Sequence, residues 1–168
     1  MKKIGLFCGT STHKTLAVAK KIQEAYGEKD VDIVSIEEAW QKEFEAYDYI
    51  IAGAATWFDG ELPSYWDEFM PKLLTLDLKD KKVGIFGLGD QVKYPDNFVD
   101  GIGLLAEAFI ATGATIVGLT SSEGYHFNKS QALIGGHFAG LAIDVENERV
   151  KTDQRIKEWV EALKKEFK

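Results

Sequence analysis

At 168 residues, with 45% apolar and 28% charged side chains, the chain has the composition of one globular domain spanning 1–168. A formal net charge of −7 argues against nucleic acid, whose phosphates select Lys and Arg, and suits basic partners. The lone Cys8 cannot form an internal disulfide, no signal peptide is visible, and no apolar run approaches the ~18 residues of a membrane span, so a reducing, cytoplasmic setting is expected.

Taken in order, Lys2–Cys8 reads as a strand and Thr15–Tyr26 as a helix. Val31–Ile36 is a second strand, and Tyr49–Ala52 a third, running into Gly53-Ala54-Ala55. Trp66, Phe69, Met70 and Leu73 at three-to-four spacing predict a helix over Tyr65–Leu74. Val83–Gly87 is a fourth strand, Phe98–Thr112 a helix, and Thr115–Leu119 the start of a fifth strand. Thr120 to Gly140 is glycine-rich with weak periodicity and reads as an insertion in or after that strand. The last helix has Thr152 as its expected cap and an apolar stripe of Ile156, Trp159, Val160, Leu163 and Phe167. Short apolar strands alternating with helices predict an α/β fold: a doubly wound, five-stranded parallel sheet with helices on both faces. Ligands of such sheets bind beyond the carboxyl ends of the strands, so the loops after strands one, three and four belong together.

The first of these loops is Gly9-Thr10-Ser11-Thr12-His13-Lys14-Thr15. A strand turning into a helix through small hydroxyl residues gathers unpaired backbone N–H groups at the positive end of the helix dipole, which suits a phosphate. The hydroxyls of Thr10, Ser11, Thr12 and Thr15 add donors. The loop after strand three carries Thr56-Trp57-Phe58-Asp59-Gly60-Glu61-Leu62, and the loop after strand four runs Gly87-Leu88-Gly89-Asp90-Gln91-Val92-Lys93-Tyr94-Pro95-Asp96-Asn97-Phe98. Trp57 and Tyr94, on separate loops at one edge, can sandwich a flat ring. A phosphate site beside an aromatic sandwich describes a pocket for flavin mononucleotide (FMN).

These motifs, with Ser122–Asn128, Gly140-Leu141-Ala142-Ile143-Asp144 and the Thr152–Trp159 helix start, resemble the long-chain flavodoxins almost from end to end. The resemblance implies the sheet order 2-1-3-4-5, for which flavodoxin is itself the type example, and a long-chain insertion in strand five. It implies a non-covalently bound FMN and a low-potential one-electron carrier rather than an enzyme. Thr10, Ser11, Thr12, His13, Lys14 and Thr15 would surround the phosphate, and Thr56 and Asp144 would reach the phosphate and ribityl chain. Trp57 would cover the inner ring face and Tyr94 the outer. The Phe58-Asp59 peptide would lie at flavin N5, with Gly60 beside it. Asp90, with neighbouring backbone of Gly87, Leu88, Gly89, Asn97 and Phe98, would meet the ring edge. Asp59, Glu61, Asp67, Glu68, Asp90, Asp96 and Asp100 would surround the ring, disfavour an anionic reduced flavin and dock basic partners such as an NADPH-dependent flavodoxin reductase. A monomer is expected.

Three departures stand out. His13 takes a position where the family usually has glycine; a helical φ is expected there, since a positive φ would cost a histidine on the order of 1 kcal/mol. Protonated, it would strengthen phosphate binding as pH falls. Ala55 replaces a proline common before Thr56-Trp57, and Lys93 replaces a glycine beside Tyr94, where it would partly offset the acidic field. His126 and His137 read as surface histidines rather than metal ligands. Trp66 and Trp159 fall on helix stripes as core residues, and Trp40 is expected to pack against the sheet edge. Two other readings compete: a small FMN-dependent quinone-type reductase, and a flavodoxin-like module with weakened FMN binding. A phosphoacceptor receiver is disfavoured, because the first loop has hydroxyls and no carboxylate.

Overall fold

In the computed structural model, which describes residues 4–168, five parallel strands form the centre. They are β1 (Ile4–Cys8), β2 (Val31–Ser35), β3 (Tyr49–Ala55), β4 (Lys82–Leu88) and β5 (Thr115–Val117), in the order β2-β1-β3-β4-β5. The expected Lys2 and Lys3 start of the first strand lies outside the described residues.

Side-chain alternation along the strands divides the core between the two faces of the sheet. Ile4, Leu6 and Cys8 of β1 share one cluster with Val18 and Ile22 of α1 (His13–Tyr26) and with Trp159 and Leu163 of α5 (Thr152–Glu166). On the other face, Phe7 joins Ile50 and Ala52 of β3, Trp66 of α3 (Ser64–Leu73) and Phe109 of α4 (Asp100–Ala111). Where β3 and β4 run side by side, Gly53 leaves space for the Phe86 ring, which would lie 2.0 Å from a side-chain carbon at 53. Trp66 and Trp159 are buried as expected, and each indole N–H donates to a glycine carbonyl, Gly53 and Gly118 respectively.

The fifth position of the sheet is filled twice. β5 pairs with the first half of β4, Lys82 against Thr115, and β9 (Leu141–Ile143) pairs with its second half, Phe86 against Leu141. The chain between them forms a small antiparallel sheet, β6 (Thr120–Ser121), β7 (Leu133–Ile134) and β8 (His137–Phe138), in the order β6-β8-β7. Strands of two residues leave no periodicity to read, so the sequence of this segment is irregular.

Several expectations need correction. A short helix, α2 (Gln41–Ala46), buries only Phe44 and so shows no stripe. Trp40, just before it, is 75% exposed rather than packed on the sheet edge. Thr152 does not cap the last helix: it is that helix's first residue, a 3₁₀ turn over Arg149–Lys151 precedes it, and its hydroxyl makes no capping bond. α4 begins at Asp100, not Phe98, because Val99 takes a left-handed backbone (φ 48°) that holds the loop out of the helix.

Candidate functional site

Parallel strands present all their carboxyl ends at one edge, so the loops after β1, β3, β4 and β9 meet there. Together they line a cavity of about 770 Å³, within the range that accepts cofactors. Its walls are Ser11–Thr15, Ala55–Trp57, Leu88–Asp90, Lys93, Tyr94, Val145 and Glu146.

At one end of the cavity is the N-terminus of the fourteen-residue α1. Its first-turn N–H groups have no intrahelical acceptors and carry the positive end of the dipole. His13 is the first helical residue, so its backbone is helical, and it stands exposed at the cavity. The Lys14 ammonium pairs with Glu146 across the same cavity. Thr12 Oγ1 is enclosed and has no hydrogen-bond partner among the described residues. An enclosed hydroxyl at a helix N-terminus, beside Ser11, Lys14 and Thr15, is what a phosphate monoester would satisfy. Thr10 faces elsewhere: its hydroxyl donates to Ser35 Oγ (2.9 Å), and it does not line the cavity. The backbone N–H groups of Thr10 and Ser11 both donate to Glu37 Oε1, at 2.8 and 3.0 Å. Burial works to raise the Glu37 carboxyl, but the bonds from Ser11 and Thr10 outweigh it and hold it below the usual carboxylate range.

At the other end are the two aromatics. Trp57 is half-buried; its N–H and C=O pair with those of Glu61 at 2.7 Å each, which closes a tight loop over residues 57–61. Within that loop Gly60 (φ 92°) and Phe58 (φ 48°) take left-handed backbones, the latter uncommon for an aromatic. Phe58, Asp59 and Gly60 are not in the cavity wall, and Phe58 is 74% exposed. Thr56 lines the cavity, yet its Oγ1 already accepts the Gly101 N–H at 2.9 Å. Tyr94 is 43% exposed, with Lys93 Nζ 5.5 Å from its ring centroid.

Asp90 organises the loop after β4. Its Oδ1 accepts from the N–H groups of Val92 (3.1 Å) and Lys93 (2.8 Å) and from Asn147 Nδ2 (2.7 Å). Burial pushes its carboxyl up, while those bonds and the Lys93 charge pull it down further, so it is held below its ordinary value.

Besides Thr10, Phe58, Asp59 and Gly60, four more expected contacts are not brought to the cavity. Asp144 is fully buried, and accepts from Gln91 N, Gln91 Nε2, Asn147 N and Asn147 Nδ2 at 2.9–3.1 Å. It is a clamp between two loops, with no oxygen in the cavity wall. Phe98 is buried against Tyr125, Phe127 and Phe138, where it seals the small sheet. Gly87 lies inside β4 under Ile102. Asn97 ties the Asp59 carbonyl to Asp100. Asp100 itself is buried and bonded to Gln131, so it does not belong to the acidic rim, whereas Asp59, Glu61, Asp67, Glu68 and Asp96 are exposed. His126 and His137 are exposed, and among the described residues no His, Cys, Asp and Glu side chains cluster as metal ligands. The Cys8 thiol is buried and pushed up to about 12 by that burial and by Glu37. No described helix is long and apolar enough to cross a membrane.

Sequence reasoning missed Glu37, Val145, Glu146 and Asn147. Glu37 and Asn147 follow β2 and β9, whose carboxyl ends share the edge, so extending the edge argument to those strands would have found them.

Comparison with known proteins agrees with this geometry. The flavodoxin family profile matches residues 6–159. The chain is 47% identical to the flavodoxin of Trichodesmium erythraeum, covering 99% of both chains. It is 45% identical to a Nostoc flavodoxin, covering 99% of this chain and 98% of that one. The crystal structure of Fusobacterium nucleatum flavodoxin bound to flavin mononucleotide superposes with a TM-score of 0.94 at 34% identity, covering all of both chains. With a matching profile, full-length relatives and the same sheet order, the chain belongs to the flavodoxin family.

Proposed function

We propose that this protein binds FMN non-covalently in the 770 Å³ cavity and carries single electrons at low potential between redox enzymes. One observation carries the reading: a single cavity joins an anion-binding helix N-terminus, with the enclosed Thr12 hydroxyl, to two aromatics on separate loops. In that reading Ser11, Thr12, His13, Lys14 and Thr15 hold the phosphate, and Trp57 and Tyr94 flank the ring. Asp90, ionised and held by three donors, offers its other oxygen to the polar ring edge. FMN supplies the redox chemistry, while the protein sets its potential by excluding water and by charge.

The exposed acids Asp59, Glu61, Asp67, Glu68 and Asp96 would steer basic partners, an NADPH-dependent flavodoxin reductase among them, with salt-sensitive association. A cytoplasmic monomer suits a carrier that must meet several partners. The test is direct. Purified protein is expected to be yellow, to quench added FMN fluorescence in its apo form, and to give two separated one-electron steps on reductive titration. A colourless protein whose apo form leaves FMN fluorescence unchanged would refute the assignment.

A further inference from the structure

Behind the loop after β1, on the side away from the cavity, lies Tyr65 from the first turn of α3. Its ring is only 8% exposed and meets the Trp57 indole edge to face, with centroids 5.9 Å apart and planes at 82°. The phenol reaches the start of the loop: a side-chain carbon at Gly9 would fall 2.6 Å from Tyr65 Oη. Glycine at position 9 is therefore a matter of room for this hydroxyl. Tyr65 Oη and Thr12 Oγ1 are both enclosed, and neither has a hydrogen-bond partner among the described residues. The Thr12 hydroxyl is close enough to act on the phenol. Burial pushes the phenol's pKa up, and the Thr12 hydroxyl would counter this only by donating to the phenolate, a form not populated at neutral pH. The phenol keeps its proton at neutral pH and has it to donate.

We propose that Tyr65 is a positioning residue for the cofactor's phosphate: its O–H donates to Thr12 Oγ1, so that Thr12 directs its own proton to a phosphate oxygen. The inference rests on the FMN reading above. A threonine hydroxyl rotates freely and carries one proton and two lone pairs. Once a lone pair is taken by Tyr65 from behind, the proton is turned toward the cavity that Thr12 lines. Hydrogen bonds in such a chain also polarise one another. The same side chain backs the Trp57 indole, so one residue ties the phosphate end to the ring wall.

Tyr65→Phe keeps the ring against Trp57 and removes only the hydroxyl. Apoprotein titrated with FMN and with riboflavin, which lacks the phosphate, separates the two contacts. The expected result is a preference for FMN over riboflavin reduced roughly fivefold, the size of one neutral hydrogen bond. Thr12→Val should cut that preference as well, and in the Thr12→Val background Tyr65→Phe should add almost nothing. Equal weakening of both flavins would place the effect at Trp57 and overturn the relay. An unchanged preference, or full additivity with Thr12→Val, would overturn it too. A wild-type apoprotein that binds neither flavin would refute the FMN reading itself, a different result from any of these.

Discussion

Glu37 and Asp144 organise loops at the same edge of the sheet by the same chemistry, in opposite surroundings. Each is a carboxylate accepting two backbone N–H groups: Thr10 and Ser11 for Glu37, Gln91 and Asn147 for Asp144. Glu37 is exposed and uses one oxygen, whereas Asp144 is wholly buried and takes two side-chain amides besides. Water can replace an exposed acceptor, so such a bond contributes little net. It cannot reach the buried Gln91 in the same way, so the buried carboxylate is worth the full cost of leaving the Gln91 donors unmet. Burial, more than the count of bonds, decides how much each carboxylate contributes.

The sharpest way to break this contrast is Asp144→Ala. It orphans two backbone N–H groups and frees Gln91, which also donates to Glu148 and accepts from His126 N–H. Urea denaturation should show a loss of about 3 kcal/mol. A loss under ~1 kcal/mol would mean that water reaches the site and the contrast fails.

Glu148 extends the buried clamp and gives it a pH signature. Burial would raise its carboxyl, but hydrogen bonds from Lys151, Gln91 and Arg155, with the Arg155 charge, bring it from 4.5 down to about 2. A carboxyl depressed in the folded state contributes stability that is complete above its unfolded value and is lost as protons bind the native form. That contribution should therefore fade between pH 4.5 and about 2. Glu148→Gln should lower stability at pH 7 by roughly 1–2 kcal/mol and flatten the acid limb in that window. An unchanged limb would place the acid sensitivity elsewhere.

The same contrast explains what could be read without coordinates. The strands, the two ends of the cavity and the cores around Trp66 and Trp159 were legible, because period and turn chemistry are local. His13 was legible too, since a good helix follows it. Asp144 was not. A carboxylate ending the apolar run Leu141-Ala142-Ile143 reads as a residue at a strand's functional edge, and nothing local says that Gln91, from a distant turn, has closed over it. Phe98 misled for a similar reason: its partners Tyr125, Phe127 and Phe138 come from a segment without periodicity.

Asp90 stands between the extremes and tests whether the scale is graded. It is partly exposed and holds the N–H groups two and three residues ahead, a local turn, with the exposed Asn147 amide as its one bond across the fold. Asp90→Ala should cost about 1 kcal/mol in denaturation. The effect should be local: faster amide hydrogen exchange at Val92 and Lys93, and little change at Gln91, which Asp144 holds. Uniform acceleration across both loops would show that they form one cooperative unit.

Glu37→Gln gives the smallest effect and the only one of opposite sign. Glutamine keeps an oxygen for Thr10 and Ser11, so stability should change by less than about 0.5 kcal/mol. What is lost is a negative charge held beside a loop that, in the proposed function, receives a phosphate dianion. Because Glu37 is exposed, the repulsion is screened within ~10 Å at 0.1 M salt. FMN should bind the variant about twofold more tightly at low ionic strength, with the advantage fading at high salt. Weakening by tenfold or more would make Glu37 a brace equal in importance to Asp144, and would end the argument that its exposure makes it dispensable.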